Sequence, residues 1–154
     1  MSKIILCGAG ASGKDFIRKK FQQKGWVYGI TYTTRPRRIE EVDGTDYHFI
    51  SVAEFREKIQ NDFFVEFDQC RGWYYGTPLS EWHHANIFTM TPSGIKQVKM
   101  NIGLDNAFVL YVNADLETRR KRLYERNDVD DPERRIRTDD EDFKDFTLFD
   151  LEIK

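Results

Sequence analysis

Short apolar runs alternate along the chain with helical stripes, the pattern of an α/β domain. Lys3-Ile4-Ile5-Leu6-Cys7 is a run that predicts a buried strand, and Phe16, Ile17 and Phe21 follow at near-helical spacing among Arg18, Lys19, Lys20 and Gln22, so an amphipathic helix should end near Gly25. Trp26 to Thr34 is rich in β-branched and aromatic residues and reads as a strand stopped by the basic turn Arg35-Pro36-Arg37-Arg38. Val42 to Asp46 is a turn leading into the short run Tyr47-His48-Phe49-Ile50. Ser51-Val52-Ala53-Glu54 has the form of a capping box, opening a short helix with Val52, Phe55 and Ile59 inward.

Phe63 to Phe67 and Trp73 to Gly76 read as two strands joined by a turn containing Gly72. Asn86 to Thr91 and Ala107 to Val112 are expected as parallel core strands, with a helix around Ile95, Val98 and Ile102 between them. Leu116 to Arg126 should be helical from Asp115, Asp131-Pro132-Glu133 should start another helix, and Thr147 to Ile153 alternates like a last strand. The expected fold class is therefore α/β, a parallel core sheet flanked by helices, with the pieces from about 33 to 77 forming a small mixed insertion.

With 154 residues the chain suits one domain, 1–154, whose core is 1–32 and 78–154. A formal charge of -2 supplies no bulk drive toward nucleic acid or anionic membrane, so local basic sites for a small anion are expected instead. Cys7 and Cys70 lack metal-ligand spacing and read as reduced thiols. No segment has the length and apolarity of a signal region or membrane span, and a soluble cytoplasmic protein, monomer or homodimer, is the expectation.

The chemistry starts at Gly8-Ala9-Gly10-Ala11-Ser12-Gly13-Lys14-Asp15, a G-x-x-x-x-G-K turn between strand and helix. Such a P-loop lets backbone N–H groups converge on phosphate oxygens, the helix N-terminus adds positive potential, and the lysine reaches the terminal phosphates of a nucleoside triphosphate. Gly8, Gly10, Ser12, Gly13, Lys14 and Asp15 are the candidate cofactor-binding set, for a nucleoside triphosphate. Glu66 stands on an otherwise apolar strand, where a bare carboxylate is costly unless exposed or paired. A second basic group comprises Arg122, Arg126, Arg134 and Arg137.

Thr34-Arg35 through Arg38, Glu41, Gly44-x-Asp46-Tyr47-x-Phe49, Phe64-Val65-Glu66 and Gly72-x-Tyr74-Tyr75-Gly76-Thr77 stand in the order of the guanylate kinase motifs. The chain resembles that family over roughly half its length, as a short, divergent, phage-type member. The resemblance implies a P-loop NTPase fold with an NMP-binding insertion at about 33–77 and an Arg-rich lid at about 126–137. It implies transfer of the ATP γ-phosphoryl, with Mg²⁺, to a nucleoside monophosphate, GMP or dGMP. Arg35, Arg38, Tyr47 and Tyr75 would clamp the acceptor phosphate through forked guanidinium bonds and phenolic donors. Glu66 would accept the N1–H and amino group of guanine, with Thr77 and Thr31 offering hydroxyls. Lys14, Arg126 and Arg137 would be catalytic, neutralising charge as the phosphoryl moves.

Two departures stand out. Asp15 follows the P-loop lysine where the family has Ser or Thr, and Thr89 and Thr91 stand where the family carries aspartates. Asp15 is therefore the candidate Mg²⁺ ligand, since a hard cation takes carboxylate oxygen readily, with helix capping as its other reading. The missing aspartates leave room for other deoxynucleotides. A catalytically silent guanylate-kinase-like binding module is the alternative, and the intact Gly8, Gly13 and Lys14 favour the enzyme.

Overall fold

A computed structural model of the chain describes residues 2–126 and 130–154. In chain order the elements are β1 (Lys3–Cys7), α1 (Lys14–Gln23), β2 (Tyr32–Thr33), β3 (His48–Phe49), α2 (Val52–Gln60), β4 (Phe64–Cys70), β5 (Trp73–Pro78), α3 (Leu79–His84), β6 (Ile87–Thr89), α4 (Pro92–Asn101), β7 (Ala107–Val112), α5 (Leu116–Glu125), α6 (Pro132–Phe143) and β8 (Leu151–Ile153). The core sheet runs β6-β1-β7-β8, every pair parallel. Both faces of β1 are covered: Ile5 and Cys7 pack with Phe88, Ile95 and Val98, while Leu6 packs opposite with Ile87, Ile17 and Phe21. Continuous apolar strands are what a sheet covered on both faces requires.

The second sheet, β3-β2-β5-β4, is mixed, with β2 and β3 parallel and both β2–β5 and β4–β5 antiparallel. α2 packs Phe55 under it, stacked on Phe64 and Tyr74, and the capping box is formed, with Ser51 and Glu54 bonding each other's backbone N–H. The expected strand from Trp26 to Thr34 is divided. Tyr28 makes one parallel bridge to Ile87 at the core sheet and only Tyr32–Thr33 is strand, because the segment crosses between two sheets and can pair fully with neither. The last strand is likewise shorter than expected, since Phe146 and Phe149 turn inward onto Tyr111. α3 had no amphipathic stripe and was not legible from the sequence. The lid range of about 126–137 includes residues 127–129, which lie outside the described residues; Arg126 and α6 lie within them.

Candidate functional site

A cavity of about 740 Å³ opens at the C-terminal edge of the core sheet and reaches the second sheet. Ligands in open parallel sheets collect at this edge, where loops leave the strands. The turn after β1 forms one end. Gly13, the N-cap of α1, has φ 98°, and Ala11 has φ 63°, a conformation unfavourable for a residue with a Cβ. A Cβ on Gly8 would stand 2.5 Å from the Val112 carbonyl oxygen, so the tight turn needs glycine there. Lys14 donates from Nζ to the Gly8 carbonyl at 3.0 Å, and burial pushes its pKa down. Among the described residues the buried Ser12 hydroxyl has no hydrogen-bond partner. Cys7 and Cys70 are free and buried, and burial pushes their thiols up to about 12 and about 11, so neither is poised as a thiolate.

α6 lies across the mouth of this turn. Asp139 accepts the Gly10 N–H at 2.8 Å, and the Arg135 guanidinium sits so close over Gly10 that a Cβ there would collide with it. Among the described residues Nε and Nη1 of Arg135 are buried without a hydrogen-bond partner, a cation facing the turn at 8–14. Arg122 donates to the Ala11 carbonyl at 2.9 Å, and Arg122 and Arg126 line the cavity. Arg137 does not: it is exposed and outside the lining, as is Arg134. Positions four apart share a helix face and positions two apart do not, so Arg135 and Asp139 face the loop together and Arg137 points away. Arg135 thus stands where Arg137 was expected.

At the other end Glu66 is 4% exposed and accepts the Thr77 hydroxyl at 2.6 Å. Burial raises its carboxyl to about 7, the Thr77 bond opposing and the charge of Asp68 adding. Gly94 leaves the room, because a Cβ there would collide with the Glu66 carboxylate. Glu66 is therefore not solvent-facing, and among the described residues it has no ion-pair partner. Thr31 lines the cavity, whereas Thr77 is fully buried behind Glu66 and commits its proton to it; its expected direct contact with a base becomes a supporting one. Between the two ends Arg35, Arg38, Tyr47 and Tyr75 line the cavity together. Arg35 is 2% exposed and bonds Glu41 at 2.8 Å, with its guanidinium 5.3 Å from the Tyr47 ring centre. Arg37 bonds backbone carbonyls on the exposed side and is outside the lining.

Asp15 lines the cavity half-exposed, 3.7 Å from Arg18. It does not cap α1, whose N-cap is Gly13. Partial desolvation raises its pKa, but Lys14, Arg18, Arg126 and Arg38 outweigh that and hold the carboxylate ionised. Thr91 spends its hydroxyl on Asp68 at 2.8 Å and caps α4, and Thr89 lies 3.5 Å from the Tyr28 phenol. Among the described residues no group of three or more His, Cys, Asp or Glu could hold a metal ion. These donors fit a divalent cation that arrives with nucleotide phosphates and meets one carboxylate, Asp15; they do not fit a protein-built cage.

The sequence profile of the guanylate kinase family matches residues 1–128. The guanylate kinase of Lactococcus lactis subsp. lactis (strain IL1403) is 35% identical over 128 residues, 78% of this chain and 62% of that protein. The guanylate kinase of Syntrophus aciditrophicus (strain SB) is 36% identical over 106 residues, 64% of this chain and 51% of its own. The chain thus spans less than two thirds of the length of these relatives. In structure it matches the crystal structure of guanylate kinase from Anaplasma phagocytophilum with a TM-score of 0.75 at 16% identity, over 99% of this chain and 75% of that one. At that identity the match speaks for the fold, an α/β parallel sheet flanked by helices. Among the described residues no helix is long and apolar enough to cross a membrane.

Proposed function

The chain belongs to the guanylate kinase family, and from that premise we propose that it is an ATP-dependent nucleoside monophosphate kinase acting on GMP or dGMP. The observation that carries this reading is that Glu66, a buried carboxylate, opens into the same cavity as the phosphate loop, with the Arg35, Arg38, Tyr47 and Tyr75 group between. A base with two adjacent N–H donors answers Glu66, a phosphate dianion answers the arginines, and a second set of phosphates answers Gly8 to Lys14.

No general base is needed, since a phosphate dianion is already nucleophilic and positioning with charge neutralisation carries the catalysis. Lys14, Arg135 and Arg126 supply cations at the transferring group. Arg35 exchanges its bond to Glu41 for an acceptor phosphate oxygen, while Tyr47 and Tyr75 donate O–H. The seating of α6 over Gly10 excludes water that would otherwise take the phosphoryl group. Asp15 would hold Mg²⁺, which when bound would supply neutralisation of donor phosphate charge. Its carboxylate, already ionised among four cations, needs no deprotonation to do so.

A coupled ADP-release assay with ATP and Mg²⁺ against GMP, dGMP, AMP, dTMP and dCMP tests the reading. Turnover with GMP and dGMP is expected; binding without turnover of any acceptor would favour the silent module instead. In the same assay Asp15→Ala should raise the Mg²⁺ concentration for half-maximal rate by about tenfold, the loss of one charged ligand. An unchanged Mg²⁺ dependence would remove Asp15 from the cation site.

A further inference from the structure

We infer that Arg71 is a positioning residue, tying the β4–β5 hairpin to the phosphate loop through α6 so that the seat of Arg135 over Gly10 depends on where the hairpin stands. Its consequence for nucleotides rests on the kinase reading; its geometry does not.

The turn between β4 and β5 is closed by Cys70 pairing with Trp73, leaving Arg71 at φ 54° and Gly72 at φ 85°. Both central residues at positive φ make a type I′ hairpin, whose first position favours Asn, Asp or Gly. Arginine there carries a conformational cost that Asn, Asp or Gly would not. Its side chain is also 4% exposed, so the charge is taken out of water at the hairpin tip. It lines the cavity and donates from Nη1 to the Cys70 Sγ at 3.0 Å, and beyond the hairpin it meets α6 and the residues leading into it. Nε lies 2.7 Å from the buried Asp130 carboxylate, as an ion pair without hydrogen-bond alignment, and Nη1 lies 3.6 Å from Asp139. Asp139 in turn holds the Gly10 N–H.

Two side chains therefore link the hairpin carrying Glu66 and Tyr75 to the loop expected to hold donor phosphates. α6 does not need them to form. Asp131 caps it with Pro132 in its first turn, and Ile136 packs with Ala11 and Leu123 while Phe143 stacks on Tyr111. The charges set where the helix sits rather than whether it exists. Arg135 and Asp139 share one face, so whatever fixes Asp139 fixes the cation over Gly10. A hairpin drawn inward by an acceptor would carry Arg71 with it and hold Arg135 in place; a donor seated under Arg135 would hold the hairpin by the same route. Linkage then requires each nucleotide to tighten the other equally.

Two measurements on Arg71→Met, Arg71→Lys, Asp139→Asn and the Arg71→Met/Asp139→Asn pair test this. The first is amide hydrogen exchange of α6 without nucleotide. The second is the affinity of a non-hydrolysable ATP analogue with and without GMP. In the unaltered protein GMP should tighten the analogue about tenfold. Arg71→Met should bring that factor to within about twofold of unity and speed exchange in α6 but not in β1, Arg71→Lys should recover part of both, and the pair should cost little more than either single change. Unchanged α6 exchange in Arg71→Met overturns the inference, and so does faster exchange with the tenfold factor intact. If GMP fails to bind or react in the unaltered protein, the kinase reading falls, and the exchange pattern still decides the link.

Discussion

Lys14→Ala is expected to lower kcat for GMP phosphorylation about a thousandfold, the usual scale for removing one preorganised charge from a phosphoryl or oxyanion site. The partly buried ammonium already stands inside the turn, bonded to the Gly8 carbonyl at 3.0 Å, with its pKa pushed down by desolvation. A protein group held at that desolvation cost in the absence of substrate gains most when phosphate oxygens replace the carbonyl. Folding should not suffer, because alanine removes a desolvated charge without leaving a carboxylate unpaired. Arg135→Met should cost about tenfold to a hundredfold, and the exposed Arg137→Met about twofold or less. Initial rates with saturating ATP, beside thermal melts of each variant, check the series. Retention of more than a tenth of the rate by Lys14→Ala would remove the turn from the donor site. A larger loss from Arg137 than from Arg135 would reverse the assignment on α6.

The arginine pair also marks where sequence reasoning stops. Features encoded within a few residues were legible: the glycine turn, the Ser51–Glu54 capping box, the Asp131-Pro132 helix start and the Gly72 hairpin each carry their geometry in local chemistry. The phase of α6 against the loop is not local. It is fixed by Asp139 reaching Gly10 across 129 positions of chain, and motif spacing alone placed the cation two residues late. An i,i+4 pairing of Arg135 with Asp139 was the available signal, but an identical spacing on a solvated face looks the same. Glu66 was legible as an anomaly, a charge in an apolar strand, while the role of Thr77 depended on β4–β5 register, Glu66 opposite Thr77. Arg71 carried no motif at all. Its partners lie in another element, and only the fold brings them together.

Glu66→Gln is expected to lower the preference for GMP over AMP by about a thousandfold, measured as the ratio of kcat/KM values, because a buried site built to accept two N–H groups loses most when one acceptor becomes a donor. The amide complements an adenine edge better than a guanine one, so AMP should gain while GMP falls. Acidity supplies an independent check. The carboxyl must be ionised to accept both donors, and burial has raised it to about 7, so KM for GMP should rise about tenfold for each pH unit below 7. The acceptor phosphate titrates near pH 6 as well, and the Gln variant carries that contribution alone. Stability should move oppositely. A carboxyl raised in the folded state contributes fully below its unfolded pKa of about 4.3 and loses that contribution as pH climbs through about 7, so at pH 8 the charged Glu66 costs on the order of 3 kcal/mol. Glu66→Gln should therefore melt higher than the unaltered protein at pH 8, with the gap closing toward pH 5. A variant both more stable and less selective is the signature of a residue kept for recognition at the expense of folding. Equal melting at pH 8 with undiminished GMP preference would show that Glu66 serves neither.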